Sequence, residues 1–173
     1  MNPMLKKITT ALLCCLAFGS AQAQQKGTGY CRYTKTPQGY LVVLKQGDNV
    51  IAFLEDLSRE QQIPSAYLTG IGFAGEATFG FYDFKTKKFN PKTFHKVEMG
   101  SLTGSIAWNG NAPSVHLHGV ATDKAFRAFG GHLLSLTVGT GSMEIYITLY
   151  PEKLERKKEQ PLDANVLQLP CRE

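Results

Sequence analysis

Residues 143–150 read Met-Glu-Ile-Tyr-Ile-Thr-Leu-Tyr, and this stretch indicates the fold class. Every second position is apolar: Met143, Ile145, Ile147 and Leu149. Alternation with a period of two places these side chains on one face of a β-strand. We therefore predict a core strand here, with one face packed inward and one face toward solvent.

Other strands and one helix are predicted before this strand. Residues 40–44 (YLVVL) are typical of a buried strand. Asp48 is placed to cap a helix whose apolar residues recur at helical spacing, namely Ile51, Phe53, Leu54 and Leu57. Dense glycine in residues 65–84 argues against a helix, and it predicts two strands with a bend or bulge near residues 72–75.

Two sequence patterns predict hairpin turns between strands of the sheet. The polar residues 84–95, with Asn-Pro at 90–91, predict an exposed hairpin turn that leads into an edge strand. Asn-Gly at 109–110 lies between strand-like segments 101–108 and 114–120, which predicts a second hairpin. One main helix among many antiparallel strands indicates an α+β fold with a central, largely antiparallel sheet.

The N-terminus has the three parts of a secretory signal peptide. Lys6 and Lys7 precede an apolar run over 8–18, which ends in a small-x-small triplet with cleavage expected after Ala23. The apolar run is too short to span a bilayer as a stable helix. A lipoprotein signal using Cys14 or Cys15 is the alternative, and it is less favoured because the apolar stretch before either cysteine is very short.

These features predict four segments and a location. They are a signal peptide over 1–23, an N-terminal arm over 24–38, one domain over 39–150 and a C-terminal tail over 151–173. The exported protein is expected to be periplasmic or secreted, with no membrane contact once the signal is removed.

The charge of the mature chain is mild. Removing residues 1–23 takes two of the nineteen basic residues and none of the fourteen acidic ones, so the net charge becomes +3. A DNA-binding surface normally carries a clustered basic stripe. The densest basic run, Lys153–Lys158 (KLERKK), contains Glu155 and is interpreted as a solvated C-terminal helix or tail. Nucleic acid is therefore not favoured as a partner.

Two cysteines remain after removal of the signal, Cys31 and Cys171, one near each end of the mature chain. In an oxidising compartment this pair is a candidate disulfide that ties both ends to the domain. Two unpaired thiols are the alternative.

Three of the four histidines lie within seventeen residues: His116, His118 and His132. Alternate strand residues share a face with Cα atoms about 6.5–7 Å apart, so the imidazoles of His116 and His118 can converge on one ion. His132 follows a double glycine, at which a tight backbone turn would bring a third imidazole alongside. Three imidazoles with an open fourth position are typical of a catalytic zinc site. His95 is interpreted as a surface residue. The alternative interpretation of the other three histidines is that they are ordinary polar residues of the strands and bind no metal.

The order of these motifs resembles the PPC (plants and prokaryotes conserved) domain, also called the PD1-like DNA-binding domain, over roughly residues 39–149. The stretches that carry the resemblance are 70–72 (GIG), 79–83 (FGFYD), 102–106 (LTGSI), 116–118 (HLH) and 127–133 (RAFGGHL). The resemblance implies an α+β fold, a homotrimer and, in prokaryotic members, a divalent metal held by three histidines that match His116, His118 and His132. Exposed aromatic residues such as Phe79 and Phe81 are candidates to seat a neighbouring chain. Unlike the plant members, this chain has no AT-hook and carries an export signal, so the DNA-binding description gains no support.

Two functions follow, and the sequence does not decide between them. One is a metal-dependent enzyme of the hydrolase or lyase type acting on a small anionic or carbonyl ligand. In it Arg127 would steer the anion, and Asp123 or Glu76 would orient a metal ligand or act as a base. The other is a trimeric binding module that keeps the metal without turnover. The two differ in the inner face of the site, because an enzyme needs a pocket with a positioned acid or base.

A cupin is a further interpretation of the same histidines. The spacing of its first motif, G-x5-H-x-H-x4-E-x6-G with Asp in the Glu position, is matched by Gly110, His116, His118, Asp123 and Gly130. The second cupin motif requires a later histidine after a Pro-x-Gly turn. His132 is the last histidine and comes too soon, so we treat the match as a coincidence of spacing.

Overall fold

The computed structural model describes residues 30–170. The predicted signal peptide, the first part of the predicted arm and Cys171 lie outside these residues. The elements in chain order are β1 (Tyr33–Thr36), β2 (Gly39–Lys45), α1 (Val50–Glu60), β3 (Ser65–Asp83), β4 (Lys88–Asn109), β5 (Ala112–Thr122), β6 (Ala128–Tyr150), β7 (Glu155–Glu159) and β8 (Ala164–Gln168).

The strands form one sheet in the order β1-β2-β6-β3-β4-β7-β8, and β5 pairs with both β4 and β6. Strands β3, β4, β5 and β6 therefore close a cycle of antiparallel pairings. A single parallel bridge, Trp108 with Glu155, joins β7 to β4. The described chain is thus mostly β with one helix, and the predicted antiparallel sheet is confirmed.

The strand that indicated the fold class is the last third of the long strand β6. Met143, Ile145 and Ile147 are no more than 2% exposed, as the alternating pattern predicted, whereas Leu149 near the strand end is 38% exposed. Two neighbours, β2 and β3, pair with this segment, so it lies inside the sheet. Leu117 of β5 also points into the core, at 1% exposure.

Helix α1 begins one residue later than predicted. Its cap is Asn49, whose side-chain oxygen accepts a hydrogen bond from the Ala52 amide at 3.0 Å. Asp48 instead accepts from the Lys45 amide and forms an ion pair with Arg32 at 3.0 Å. Asp and Asn cap helices about equally well, so sequence alone could not separate the two positions. Val50, Leu54 and Leu57 form the buried side of the helix, which packs against β5 and β6.

The glycine-rich region is one continuous strand, β3, and not two. Its register slips against β4 between Gly70 and Gly72 and against β6 between Gly72 and Glu76, so the predicted bulge is confirmed. A bulge bends a strand without ending it. For that reason the two predicted strands are continuous.

The turn between β3 and β4 lies earlier than the Asn-Pro pair suggested. The Asp83 carboxylate accepts hydrogen bonds from the amides of Lys85 and Thr86, which fixes the turn there. Pro91 lies inside β4, opposite Gly80, where β4 pairs with β3 alone. Proline is tolerated in such an edge segment because its missing N–H would face away from the partner strand. The hairpin predicted from Asn-Gly is confirmed, with Gly110 at φ +59° in the turn between β4 and β5.

Both predicted ends of the domain need correction. The arm forms strand β1 over its last residues, and β1 pairs with β2. The basic run predicted as a solvated helix or tail overlaps strand β7, in which Arg156 is buried at 4% exposure. The backbone amide of Trp108 donates to the Leu154 carbonyl at 2.9 Å, which attaches this segment to β4.

Between residues 30 and 170, no helix is long and apolar enough to cross a membrane.

A candidate metal centre in an aromatic cleft

The three histidines predicted as metal ligands lie together on β5 and β6. His118 pairs directly with His132 across these antiparallel strands, and His116 lies two residues along β5 on the same face. The distances between ring centroids are 5.1 Å for His116 and His118, 4.9 Å for His116 and His132, and 5.3 Å for His118 and His132. One ligand atom from each ring lies within 4.8 Å of the others.

The double glycine, Gly130-Gly131, allows β6 to pack closely against β5. The tight turn predicted at this position is wrong. Gly130 and Gly131 lie within β6, paired with Val120 and Gly119. A Cβ atom at Gly130 would collide with the carbonyl oxygen of Gly119. Gly131 has φ +146°, a conformation that L-residues with side chains rarely adopt. The glycines thus let β6 approach β5 closely enough for His132 to face His118.

Asp123 and Arg127, predicted beside the ligand, close the turn between β5 and β6. Asp123 Oδ1 accepts from the amides of Ala125 and Arg127 at 2.8 and 3.1 Å, and Oδ2 accepts from the Arg127 guanidinium at 2.6 Å. These hydrogen bonds, the one from the Arg127 side chain first, lower the pKa of Asp123. Neither side chain is among the residues that line the histidine cleft.

Glu76, the third predicted accessory residue, also lies outside the cleft lining. Its carboxylate is 3.7 Å from Nδ1 of His95, and both side chains are at least half exposed. His95 therefore lies on the surface and away from the other three histidines. The structure does not bring Arg127, Asp123 or Glu76 to the cleft that the three histidines line.

The histidines line a cleft of about 1100 Å³. Much of its wall is aromatic. The Phe89 ring stacks on His132 with centroids 4.8 Å apart, and Phe94 stacks on Phe129 at 3.7 Å. Phe79, predicted to be exposed, is only 5% exposed and packs edge-on against Phe94 and Phe129. A ligand in this cleft would meet flat apolar faces beside the imidazoles.

Burial keeps the imidazoles of His116 and His132 in the form that binds metals. The pKa of His116 is lowered to about 4, chiefly by desolvation and then by the charges of His132, Arg156 and His118. Burial and the neighbouring His118 also lower the pKa of His132. Both rings are therefore neutral at pH 7, and a neutral imidazole is the state that coordinates a metal.

Three imidazoles are a ligand set that suits a zinc ion, and their nitrogens lie farther apart than they would around a bound ion. Tetrahedral Zn–N bonds of about 2.0–2.1 Å place the ligating nitrogens roughly 3.4 Å apart. The ligand atoms lie within 4.8 Å of one another, so a bound zinc ion would require the imidazoles to draw together by up to about 1.4 Å. Across residues 30–170, none of the three rings makes a hydrogen bond to another side chain or to the backbone, so their nitrogens are available as ligands.

Arg156 also lines the cleft, and the sequence analysis missed it. Its Nη2 donates to Ser105 Oγ at 2.7 Å, and Ser105 lies directly opposite His116 in the β4–β5 pair. The run Lys153–Lys158 is mostly charged and lacks the apolar alternation by which a half-buried strand is recognised. Its one signal is Leu154, an apolar residue two positions before Arg156 that is buried as well.

Comparison with known proteins places these features in a family. The model of the Plants and Prokaryotes Conserved (PCC) domain matches residues 31–151. A candidate DNA-binding protein from Ralstonia eutropha JMP134 is 58% identical, with a TM-score of 0.79 over 80% of this chain and 96% of that one. A candidate DNA-binding protein from Bacteroides thetaiotaomicron is 31% identical, with a TM-score of 0.74 over 79% and 95% of the two chains.

A metal-containing protein from Archaeoglobus fulgidus shares the fold, with a TM-score of 0.69 over 79% of this chain and 96% of that one, at 23% identity. No curated protein matches the chain.

Proposed function

The chain belongs to the Plants and Prokaryotes Conserved (PCC) domain family, as its histidine and glycine motifs predicted, and from this premise we propose that it binds one zinc ion per chain. The ligands are His116, His118 and His132. The observation that carries the proposal is the convergence of three imidazoles, with ligand atoms within 4.8 Å of one another, in the lining of a cleft. The metal-containing protein from Archaeoglobus fulgidus, which shares the fold, supports the proposal.

The site has room for a ligand beside the metal. Three protein ligands leave at least one coordination position for water or a small anion. A zinc ion held by these three histidines would act as a Lewis acid toward an oxygen ligand. The chain's own contribution is to hold the rings: Phe89 stacks on His132, and the pairing of β5 with β6 fixes His118 opposite it.

A small molecule is the partner that the cleft suits best. Its volume of about 1100 Å³ and its aromatic wall suit small-molecule binding, since such sites are typically concave and mostly apolar. DNA is not the proposed partner, because the signal-peptide pattern over 1–23 predicts that the protein is exported.

A metal-dependent enzyme of the hydrolase or lyase type is the second candidate, and the cleft that the three histidines line favours it. Its proton-transfer groups are the weaker part of the case. In the part of the chain that the structure describes, the one carboxylate lining the cleft is Asp163, which is 2.9 Å from Lys158 Nζ and also accepts from Gln160. An acid or base poised for catalysis is normally free to reach the substrate. We therefore favour a ligand-binding function at the metal over a catalytic one.

Export and trimer formation complete the proposal. Export follows from the signal-peptide pattern over 1–23, and the homotrimer follows from the family resemblance alone.

X-ray absorption of the zinc-loaded protein tests the site. We expect three imidazole nitrogens at about 2.0–2.1 Å and at least one further light-atom ligand. A coordination shell with sulfur, or with fewer than three imidazoles, would contradict the assignment.

A further inference from the structure

Arg156 is a buried charge for which the described chain supplies no counter-ion. The residue is 4% exposed, and none of the ion pairs among residues 30–170 involves it. Its Nη1 is buried and has no hydrogen-bond partner in that part of the chain. The hydrogen bond from Nη2 to Ser105 Oγ engages a neutral hydroxyl.

Such an arrangement is costly unless something else binds the guanidinium. Burying an unpaired ion is strongly unfavourable, and a guanidinium offers five donors in a planar fork. One bond to a hydroxyl leaves most of that fork unused. Buried polar groups without partners are rare in folded proteins, and a ligand is one of the recognised explanations.

The guanidinium lies beside the candidate metal site. Ser105, which Arg156 contacts, is the cross-strand partner of His116, and Arg156 lies close enough to His116 to disfavour its protonation. Arg156 and the three histidines line the same cleft. A small molecule could therefore contact the guanidinium and the metal together.

The charges of the cleft favour an anion. Lys92 and Arg156 both contribute to its lining, whereas Asp163, its one carboxylate among the described residues, is engaged by Lys158. A bound divalent ion would add further positive charge. The stacked rings of Phe94 and Phe129 offer an apolar surface in the same cleft.

We propose that Arg156 binds the carboxylate of a small 2-hydroxy or 2-oxo acid with an apolar substituent, while the neighbouring oxygen of that acid completes the coordination of the metal. The planar guanidinium of arginine matches the geometry of a carboxylate. Hydrogen bonds between these two charged groups are stronger than those between neutral groups. This inference rests on the metal site proposed above. It adds a ligand class and a residue beyond position 151, where the family match ends.

The test is calorimetric titration of the zinc-loaded protein with mandelate and with lactate, using mandelamide as the neutral isostere. We expect wild type to bind at least one of the two acids and to bind mandelamide more weakly. Arg156→Gln should weaken acid binding roughly ten- to hundredfold, the effect of losing a charged hydrogen-bond partner, and leave mandelamide binding unchanged. Arg127→Gln is the matched control, because its guanidinium lies outside the cleft and is paired with Asp123. It should bind as wild type does.

Zinc content is measured on the same samples, so that the two proposals can fail separately. Wild type that holds zinc but binds neither acid, or an Arg156→Gln protein with unchanged affinity, would overturn the role of Arg156 and leave the metal site standing. Wild type without zinc would overturn both. Phosphate that binds as tightly as the acids would overturn the preference for a carboxylate.

A thermal melt separates ligand recognition from a structural role. If the guanidinium has no counter-ion until a ligand binds, replacing it removes an unpaired buried charge. Arg156→Met should then have the same melting temperature as ligand-free wild type, or a higher one. A clearly lower melting temperature together with unchanged acid binding by Arg156→Gln would show that Arg156 serves the fold.

Discussion

His118 lies directly opposite His132 across the antiparallel pair of β5 and β6, with 5.3 Å between their ring centroids. Because the two rings belong to different strands, their separation depends on how closely the backbones approach. Gly130 sets that approach, since a Cβ there would meet the Gly119 carbonyl oxygen. The glycines are thus part of the candidate metal centre although they offer no ligand atom.

Gly130→Ala should therefore separate the strands and weaken metal binding. We expect at least a tenfold loss of zinc affinity and a loss of about 1–3 kcal/mol in the free energy of unfolding, as is usual for overpacking. Competition with a zinc-binding dye and urea denaturation measure the two effects. Gly100→Ala is the control, because its Cβ would lie 4.0 Å from the nearest atom, the Val120 carbonyl oxygen. Equal zinc affinity in both variants would contradict the role of Gly130.

The metal-free protein should lose stability as the pH falls from about 6.5 to about 4. The pKa of His116 is lowered to about 4 from 6.5, mainly by burial, so in this window the unfolded chain takes up a proton that the folded chain does not. The contribution is fully present above pH 6.5 and amounts to at most about 3 kcal/mol, less any solvent screening of this partly buried ring. Urea denaturation at pH 7 and pH 4.5 compares wild type with His116→Gln. The variant should lose less stability on acidification, and equal losses in both proteins would count against this prediction.

The sequence predicted the parts of the fold that show a hydrophobic period. Met143 to Ile147 alternate regularly, and their burial followed that alternation. The chain ends were mispredicted for the opposite reason. Glu155–Glu159 is a strand made of charged residues only, so no apolar pattern marks it, and Arg156 is buried through pairing that only the folded sheet reveals.

The candidate site was predictable in part because strand geometry is local. His116 and His118 share a face whatever the rest of the chain does. The position of His132 depends on its register against His118, which is a long-range pairing, and its double glycine was assigned to a turn when it serves strand packing. Arg127 and Asp123 are close to the histidines in sequence, but their mutual ion pair keeps them in the β5–β6 turn.

The mature protein should be a homotrimer, a prediction that comes from the family resemblance. Phe81 and Phe126 are 77% and 88% exposed in the single chain, and exposed apolar surface of this kind is typical of interaction sites. Light scattering at micromolar concentration should give three times the mass of the mature chain. A monomer at that concentration would contradict the prediction.

Exported protein should contain a disulfide between Cys31 and Cys171. Cys31 is exposed in the structure, and Cys171 lies outside the described residues. Both cysteines survive removal of the predicted signal peptide, and an oxidising compartment favours their pairing. Mass spectrometry after alkylation without reduction should find no labelled cysteine in periplasmic material. Two labelled cysteines would show that the thiols remain free.

The most direct test of the proposed metal centre is the metal content of wild type, His118→Ala and His95→Ala, purified without chelator or nickel resin. Wild type and His95→Ala should each carry one zinc per chain, because His95 lies on the surface beside Glu76. His118→Ala should lose stoichiometric zinc and remain folded, because its side chain is exposed and the core lies on the other face of β5. Full zinc content in His118→Ala, or none in wild type, would contradict the proposed site.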